Sequence, residues 1–164
     1  MAAAAEPSLP GDTTMSGARE STTVRAATPA DLAGVEELLT RSNLPLDGVR
    51  EALPTFVVAE AGDTLVGVAG LEVCCNNALL RSVAVDDAWR SHGVGRALVS
   101  RVVADAESRG IHALYLLTTT AEHYFPKFGF EQVTRDQVPD DIRSTAEFTS
   151  ACPASAIVMC RACN

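Results

Sequence analysis

"TFVVAEAGDTLVGVAGLEVCCNNALLRSVAV", Thr55 to Val85, is the stretch on which the fold turns. It is dense in valine, leucine and alanine, with charges at only a few points. Two turn signals, Gly62-Asp63 and Asn76-Asn77, divide it into three strands. Strands joined by turns this short run antiparallel. If Asn76-Asn77 is a two-residue turn, facing residues sum to 153, and Glu72 then lies opposite Arg81. A glutamate and an arginine on apolar strands have two readings. One is a stabilising cross-strand ion pair. The other is a working pair, in which Arg81 grips an oxyanion with its planar fork and Glu72 orients it or accepts a proton through water.

Downstream, "RSHGVG", Arg90 to Gly95, leads into "RALVSRVVADAESRG", which reads as a helix from about Val94 to Arg109. A helix N-terminus offers unpaired N–H groups and the positive end of the helix dipole, a site for phosphate or pyrophosphate. Gly93 and Gly95 remove Cβ atoms and let backbone approach an anion, and Arg90 and Arg96 add charge. The dinucleotide fingerprint would need glycine where Leu98 stands, and the P-loop would need Gly-Lys-Ser/Thr.

Upstream, "TVRAAT" alternates like a short strand, and Thr28, Pro29 and Asp31 open a helix with its apolar stripe at Leu32, Val35, Leu38 and Leu39. A second short helix is expected over Leu46 to Leu53, stopped by Pro54. After the long helix come a strand in "IHALYLL", a short helix in "TAEHYFPKFGF" closed by Gly129, and a strand near Phe130 to Val133. A helix around Pro139 to Phe148 and a last strand, Ala156 to Arg161, complete the order β-α-α-β-β-β-α-β-α-β-α-β. That order describes a mixed α/β domain.

The 164 residues, 47% hydrophobic, suffice for one domain. Residues 1–21 are read as a tail of Ala, Ser, Thr, Gly and Pro that cannot build a core, and residues 22–164 as the domain. The tail lacks the basic start and apolar run of a signal peptide, and no run is long enough for a membrane span. A net charge of −8 argues against nucleic acid or an anionic membrane as partner. Five cysteines without a secretory signature suggest a reduced cytoplasm. Cys160-x-x-Cys163 has the spacing of half a zinc site, but no second half follows, so no metal is expected.

Arg90-x-x-Gly93-x-Gly95 after a strand, followed by "YFPKFGF", resembles the GNAT superfamily of acetyl-CoA-dependent N-acetyltransferases, over about Thr22 to the C-terminus. Within it, "ALLRSVAV", "LYLLTTTAEHYF" and "TAEFTSACPASAIVM" are similar to the branch found in arsenic-resistance operons. The resemblance implies a GNAT fold: a mixed, mostly antiparallel sheet with splayed central strands, flanked by helices. It implies acetyl-CoA as co-substrate, lying between strands Ala78–Val85 and Ala113–Leu117. Backbone groups of Val83, Ala84 and Val85 would meet the pantetheine arm. The N–H groups of His92, Gly93, Val94, Gly95, Arg96 and Ala97, with Arg90 and Ser91, would hold the pyrophosphate. A backbone N–H near Val83 would face the oxyanion.

The chain departs from the family at both proton-transfer positions. Phe125 stands where many relatives have a tyrosine acid, and Leu79 where many have a glutamate base. Tyr124 is adjacent but turned by about 100° on a helix. The candidate catalytic residues are therefore Tyr124, Glu72 and Arg81. Thr118, Thr119 and Thr120 end the next strand beside them, and Cys152 before Pro153 is a thiol that could meet arsenic species. The function expected is acetyl transfer to the amine of a small molecule, amino-acid-like or bearing an acidic group. A protein N-terminal acetyltransferase and a non-catalytic CoA-binding sensor remain alternatives. A homodimer is left open.

Overall fold

A computed structural model describes residues 22–90, 92–119, 121–145, 148 and 155–163. Residues 1–21, Ser91, Thr120 and Cys152, all singled out above, lie outside the described residues. Seven strands form one sheet in the order β1-β2-β3-β4-β5-β7-β6. They are β1 (Thr23–Ala26), β2 (Phe56–Ala61), β3 (Thr64–Cys74), β4 (Asn77–Val85), β5 (Ala113–Thr118), β6 (Glu131–Val133) and β7 (Ile157–Ala162). The helices are α1 (Leu32–Arg41), α2 (Val49–Ala52), α3 (Val94–Ser108) and α4 (Asp140–Arg143). The expected element order holds. The second helix is shorter than expected and passes into a 3₁₀ turn, Leu53–Thr55, that contains Pro54.

Each neighbouring pair is antiparallel except β4 and β5. The sheet has two coated faces. On one, α3 buries Val94, Leu98, Val99 and Val102 against Val57, Ala59, Leu80, Val85, Leu114 and Leu116. On the other, α1 and α2 bury Val35, Leu38, Leu39 and Val49 against Phe56, Val58, Val68 and Ala84. That same face carries a further cluster, where Ile142 of α4 and Val138 cover Leu79, Tyr115 and Leu117. Side chains alternate along a strand, so β4 sends Leu80 to one layer and Leu79 and Arg81 to the other.

The β2–β3 turn falls at Gly62-Asp63, as read from sequence. The β3–β4 turn does not fall at Asn76-Asn77. Cys74 pairs with Asn77, so the turn residues are Cys75 and Asn76, and facing residues sum to 151. The left-handed backbone this turn needs comes from Cys75, at φ 57, a conformation that local sequence reasoning assigns to asparagine or glycine. Glu72 consequently faces Leu79, and Arg81 faces Gly70.

Candidate active site

The β4–β5 seam is zipped at one end only. Asn77, Ala78 and Leu79 pair with Ala113, Leu114 and Tyr115, and the pairing stops there although both strands continue. Past Leu79 the two strands diverge, leaving an unpaired gap in mid-sheet. The divergence coincides with an irregularity on the other edge of β4. Gly70 pairs with Arg81 and Val68 with Ala84, so Ala69 alone stands opposite both Ser82 and Val83. This is a β-bulge, and Ser82 occupies it at φ 58. No glycine or asparagine marks the place on β4, so nothing in the β4 sequence signals it.

Beyond the bulge, Asp86 donates its N–H to the Val66 carbonyl. Hydrogen-bonded and non-hydrogen-bonded pairs alternate in an antiparallel ladder, so Ala84 turns its backbone groups to β3, while Val83 and Val85 turn theirs to the gap. Of the three residues expected to meet pantetheine, Val83 and Val85 turn backbone groups away from β3 and Ala84 turns its own towards it.

The N-terminus of α3 lies beside the C-terminal end of β4, where Val94 packs over Gly67, the partner of Val85. Gly93 is the N-cap, at φ 82, and a Cβ built there would meet nothing within 4 Å. The obstacle to another residue is therefore the backbone conformation rather than crowding. The first helical bond runs from Ala97 N–H to the Gly93 carbonyl. The N–H groups of Val94, Gly95 and Arg96 thus have no acceptor within the helix, whereas that of Ala97, also expected in the cradle, is used. Val94 and Gly95 are buried under the helix start, while His92, Gly93, Arg96 and Ala97 are exposed. His92 is held by its Nδ1 to the Arg90 carbonyl (2.8 Å) and packs by Trp89 at 5.5 Å between centroids. Arg90 pairs with exposed Asp87 at 3.2 Å. Asp86 caps the preceding turn by accepting from Ala88 N–H and pairs with Arg41 of α1.

Tyr124 precedes the 3₁₀ helix Phe125–Phe128, which Gly129 closes at φ 92. Its hydroxyl is buried, its ring lies edge-on to Phe125 and Phe128, and the Lys127 ammonium stands 4.4 Å from its centroid. Phe125 is fully buried in the α3-side core. Both rings therefore belong to the α3 side of the sheet.

Glu72 and Arg81 do meet, although not across the strand pair as expected. They are diagonal neighbours on one face, with Arg81 Nη1 donating to Glu72 Oε1 at 3.0 Å. Arg81 has 0% exposure. Its Nε donates to Ser82 Oγ (3.0 Å) and its Nη2 to the Asp47 carbonyl. Glu72 keeps 23% of its side chain exposed and lines a cavity of about 450 Å³ with Gly48, Glu51, Ala52, Thr55 and Val73. The accessible member of the pair is thus the carboxylate. Thr118, expected to lend a hydroxyl, is buried and accepts from Ala121 N–H.

Tyr115 on β5 was not singled out from sequence. Burial pushes its phenol up to about 12, so it stays protonated at neutral pH. Cys160 packs with the α4-side cluster and Cys163 in the α3-side core, on opposite faces, so they form no half-site for zinc. No group of three His, Cys, Asp or Glu capable of holding a metal occurs among the described residues. No helix among them is long and apolar enough to cross a membrane.

Residues 53–132 match the acetyltransferase (GNAT) domain family. The amino-acid acetyltransferase of Escherichia coli K12 is 29% identical over 126 residues, which are 71% of this chain and 28% of that protein. The chain thus spans less than a third of the length of the curated relatives it matches. Among solved structures, N-acetylglutamate synthase from Neisseria gonorrhoeae, complexed with coenzyme A and N-acetyl-glutamate, superposes with a TM-score of 0.76. It is 19% identical and is matched over 89% of this chain and 36% of its own. A Mycobacterium tuberculosis protein in complex with CoA and NLQ gives 0.71 at 26% identity, over 87% of this chain and 99% of its own. The seven-stranded mixed sheet with its flanking helices is the GNAT fold of these structures.

Proposed function

We propose, from the premise that this chain carries a GNAT acetyltransferase domain, that it transfers the acetyl group of acetyl-CoA to the α-amine of a small, amino-acid-like acceptor. The observation that carries this reading is the one-ended β4–β5 seam, with the α3 N-terminus beside the end of β4 that leaves it. The residues fit a CoA thioester. Val94, Gly95 and Arg96 offer backbone N–H groups to the pyrophosphate at the positive end of α3, with Arg90 and Arg96 nearby. Val83 and Val85 offer backbone groups to the extended pantetheine amides.

Acetyl-CoA supplies the activated acyl group, and the protein supplies position and proton management. The bulge points the Val83 N–H into the gap, where it can donate to charge developing on the thioester oxygen. Glu72, the accessible carboxylate of the acceptor side, takes the amine proton through water. Tyr124 delivers a proton to the departing thiolate from its buried hydroxyl.

The names of the relatives support an amino-acid acceptor. The resemblance of "ALLRSVAV" and its companion segments to the arsenic-resistance branch adds a narrower possibility, tested by whether expression protects cells from arsenicals. Thiol release from acetyl-CoA, followed with free amino acids, simple amines and short peptides, tests the main reading. Release with free amino acids is the expected result. Release with peptides alone would reassign the protein to N-terminal acetylation. No release with any amine, while acetyl-CoA still binds, would make it a CoA sensor.

A further inference from the structure

Two residues in left-handed conformation converge on one buried guanidinium. Ser82 holds φ 58 in the β4 bulge, and Gly48 holds φ 77 in the loop between α1 and α2. Between them lies Arg81, with 0% exposure, bonded to Ser82 Oγ, to the Asp47 carbonyl and to Glu72. Successive side chains of a regular strand point to opposite faces, so residues 81 and 82 could not ordinarily bond through their side chains. The 3.0 Å contact between Arg81 Nε and Ser82 Oγ exists because the bulge turns Ser82 out of alternation. Bond and bulge therefore depend on each other. The loop is tied equally closely, since a Cβ at position 48 would stand 2.9 Å from Arg81 Nη1.

We propose that Arg81 is a positioning residue that fastens the acceptor-side loop at Asp47–Gly48 to the β4 bulge, so that one side chain sets both the aim of the Val83 N–H and the wall of the acceptor cavity. This rests on the acetyl-transfer reading of the seam. A serine held at positive φ is a strained residue that persists only where its surroundings over-determine it, and Arg81 is the partner that does so. A fully buried arginine is costly unless its donors are satisfied by fixed acceptors. Here those acceptors come from three separate elements: β3, β4 and the α1–α2 loop. Gly48 also lines the cavity with Glu72, so the loop that Arg81 holds is part of the surface an acceptor would touch. Arg81 itself, without exposed surface, acts through its neighbours and not by gripping substrate.

Three variants test this: Arg81→Lys, which keeps charge but loses the fork, Ser82→Gly, which cuts the bond while relieving the strained backbone, and Gly48→Ala, which crowds the guanidinium. The readouts are kcat and KM for acetyl-CoA and acceptor, melting temperature, and amide hydrogen exchange. All three should lower kcat by about 10- to 30-fold with KM for acetyl-CoA within about threefold of the parent. Exchange should accelerate together at Asp47–Gly48 and at Val83. If Arg81→Lys fails to fold, Ser82→Gly, whose backbone is relieved, carries the test. Unchanged kcat in folded variants would overturn the proposal. So would a rise in acceptor KM alone, which would return Arg81 to substrate binding. Faster exchange at only one of the two segments would also overturn it. If the parent protein releases no thiol with any amine, the acetyl-transfer reading falls separately, and the paired exchange result alone decides whether Arg81 couples loop and bulge.

Discussion

On the α3 face of the seam, the groups offered to a ligand are backbone N–H groups at an exposed helix end, made available by a few consecutive residues around Gly93. On the opposite face, the corresponding machinery is a buried arginine whose acceptors come from β3, β4 and a loop 34 residues away. One side is built locally from main chain, the other by long-range side-chain contacts. The first should keep its affinity for acetyl-CoA when surrounding side chains change and lose it only when its backbone is disturbed. The second should be sensitive to each member of the network.

Breaking the α3 side chemically should give the largest effect. Tyr124→Phe removes only the buried hydroxyl, and kcat should fall on the order of 10²-fold with acetyl-CoA affinity intact. An effect below about threefold, by the same kinetic reading, would hand sulfur protonation to water. Next comes the backbone. Gly93→Val places a β-branched residue at φ 82, and acetyl-CoA affinity measured by calorimetry should drop at least about tenfold, roughly 1.4 kcal/mol. Equal affinity in a folded variant would detach the cofactor from the α3 N-terminus.

A smaller effect sharpens the contrast from the other face. Arg25 of β1 donates to both Asp31, which opens α1, and Glu60 of β2, fastening that helix to the sheet edge. The Arg25 guanidinium holds the Asp31 carboxyl down at about 2, below its value in an unfolded chain. The folded state is therefore favoured while Asp31 is ionised. That contribution is complete above about pH 4 and is lost as pH falls through 2. Asp31→Asn should lower the melting temperature by a few degrees at pH 6, about 1 kcal/mol, with the gap narrowing towards pH 2.5. A gap independent of pH would show that packing, not charge, fastens α1.

The least effect is expected among the thiols. Burial, reinforced by the Glu72 carboxylate, pushes the Cys74 thiol up to about 11, whereas Cys75 beside it is exposed. Alkylation at pH 8 should mark Cys75 well before Cys74, with acetyl-CoA binding unchanged. Equal labelling would mean that the end of β3 opens readily.

The same contrast explains what could be read from the chain. The three-strand meander and the start of α3 follow from period-two patterning, Gly62-Asp63 and a glycine-led helix entrance, all local signals. The register of β3 against β4 came out two residues off because Cys75, not an asparagine, takes the left-handed turn position. The bulge escaped because serine at positive φ has no sequence signature and is stabilised by Arg81 only once the fold exists. Arg81 was noticed for its charge, but its role as a buried tie depends on Asp47 and Gly48, which no local pattern connects to β4. The face of Tyr124 could not be fixed either, since the segment expected as a helix forms a 3₁₀ turn, where angular spacing differs from the α-helical value.

The three-residue zip between Asn77–Leu79 and Ala113–Tyr115 has a further consequence, for cooperativity. Among the described residues it is the sole strand-to-strand join between two antiparallel blocks, β1 to β4 and β5 to β7. The first block is made of sequence neighbours and is suited to early, rapid assembly, whereas the second must wait for α3 to cross over. A molecule spanning the open part of the seam would bridge the two blocks where the main chain does not. Its binding energy would then act against the partial opening that parts them, and not only against complete unfolding.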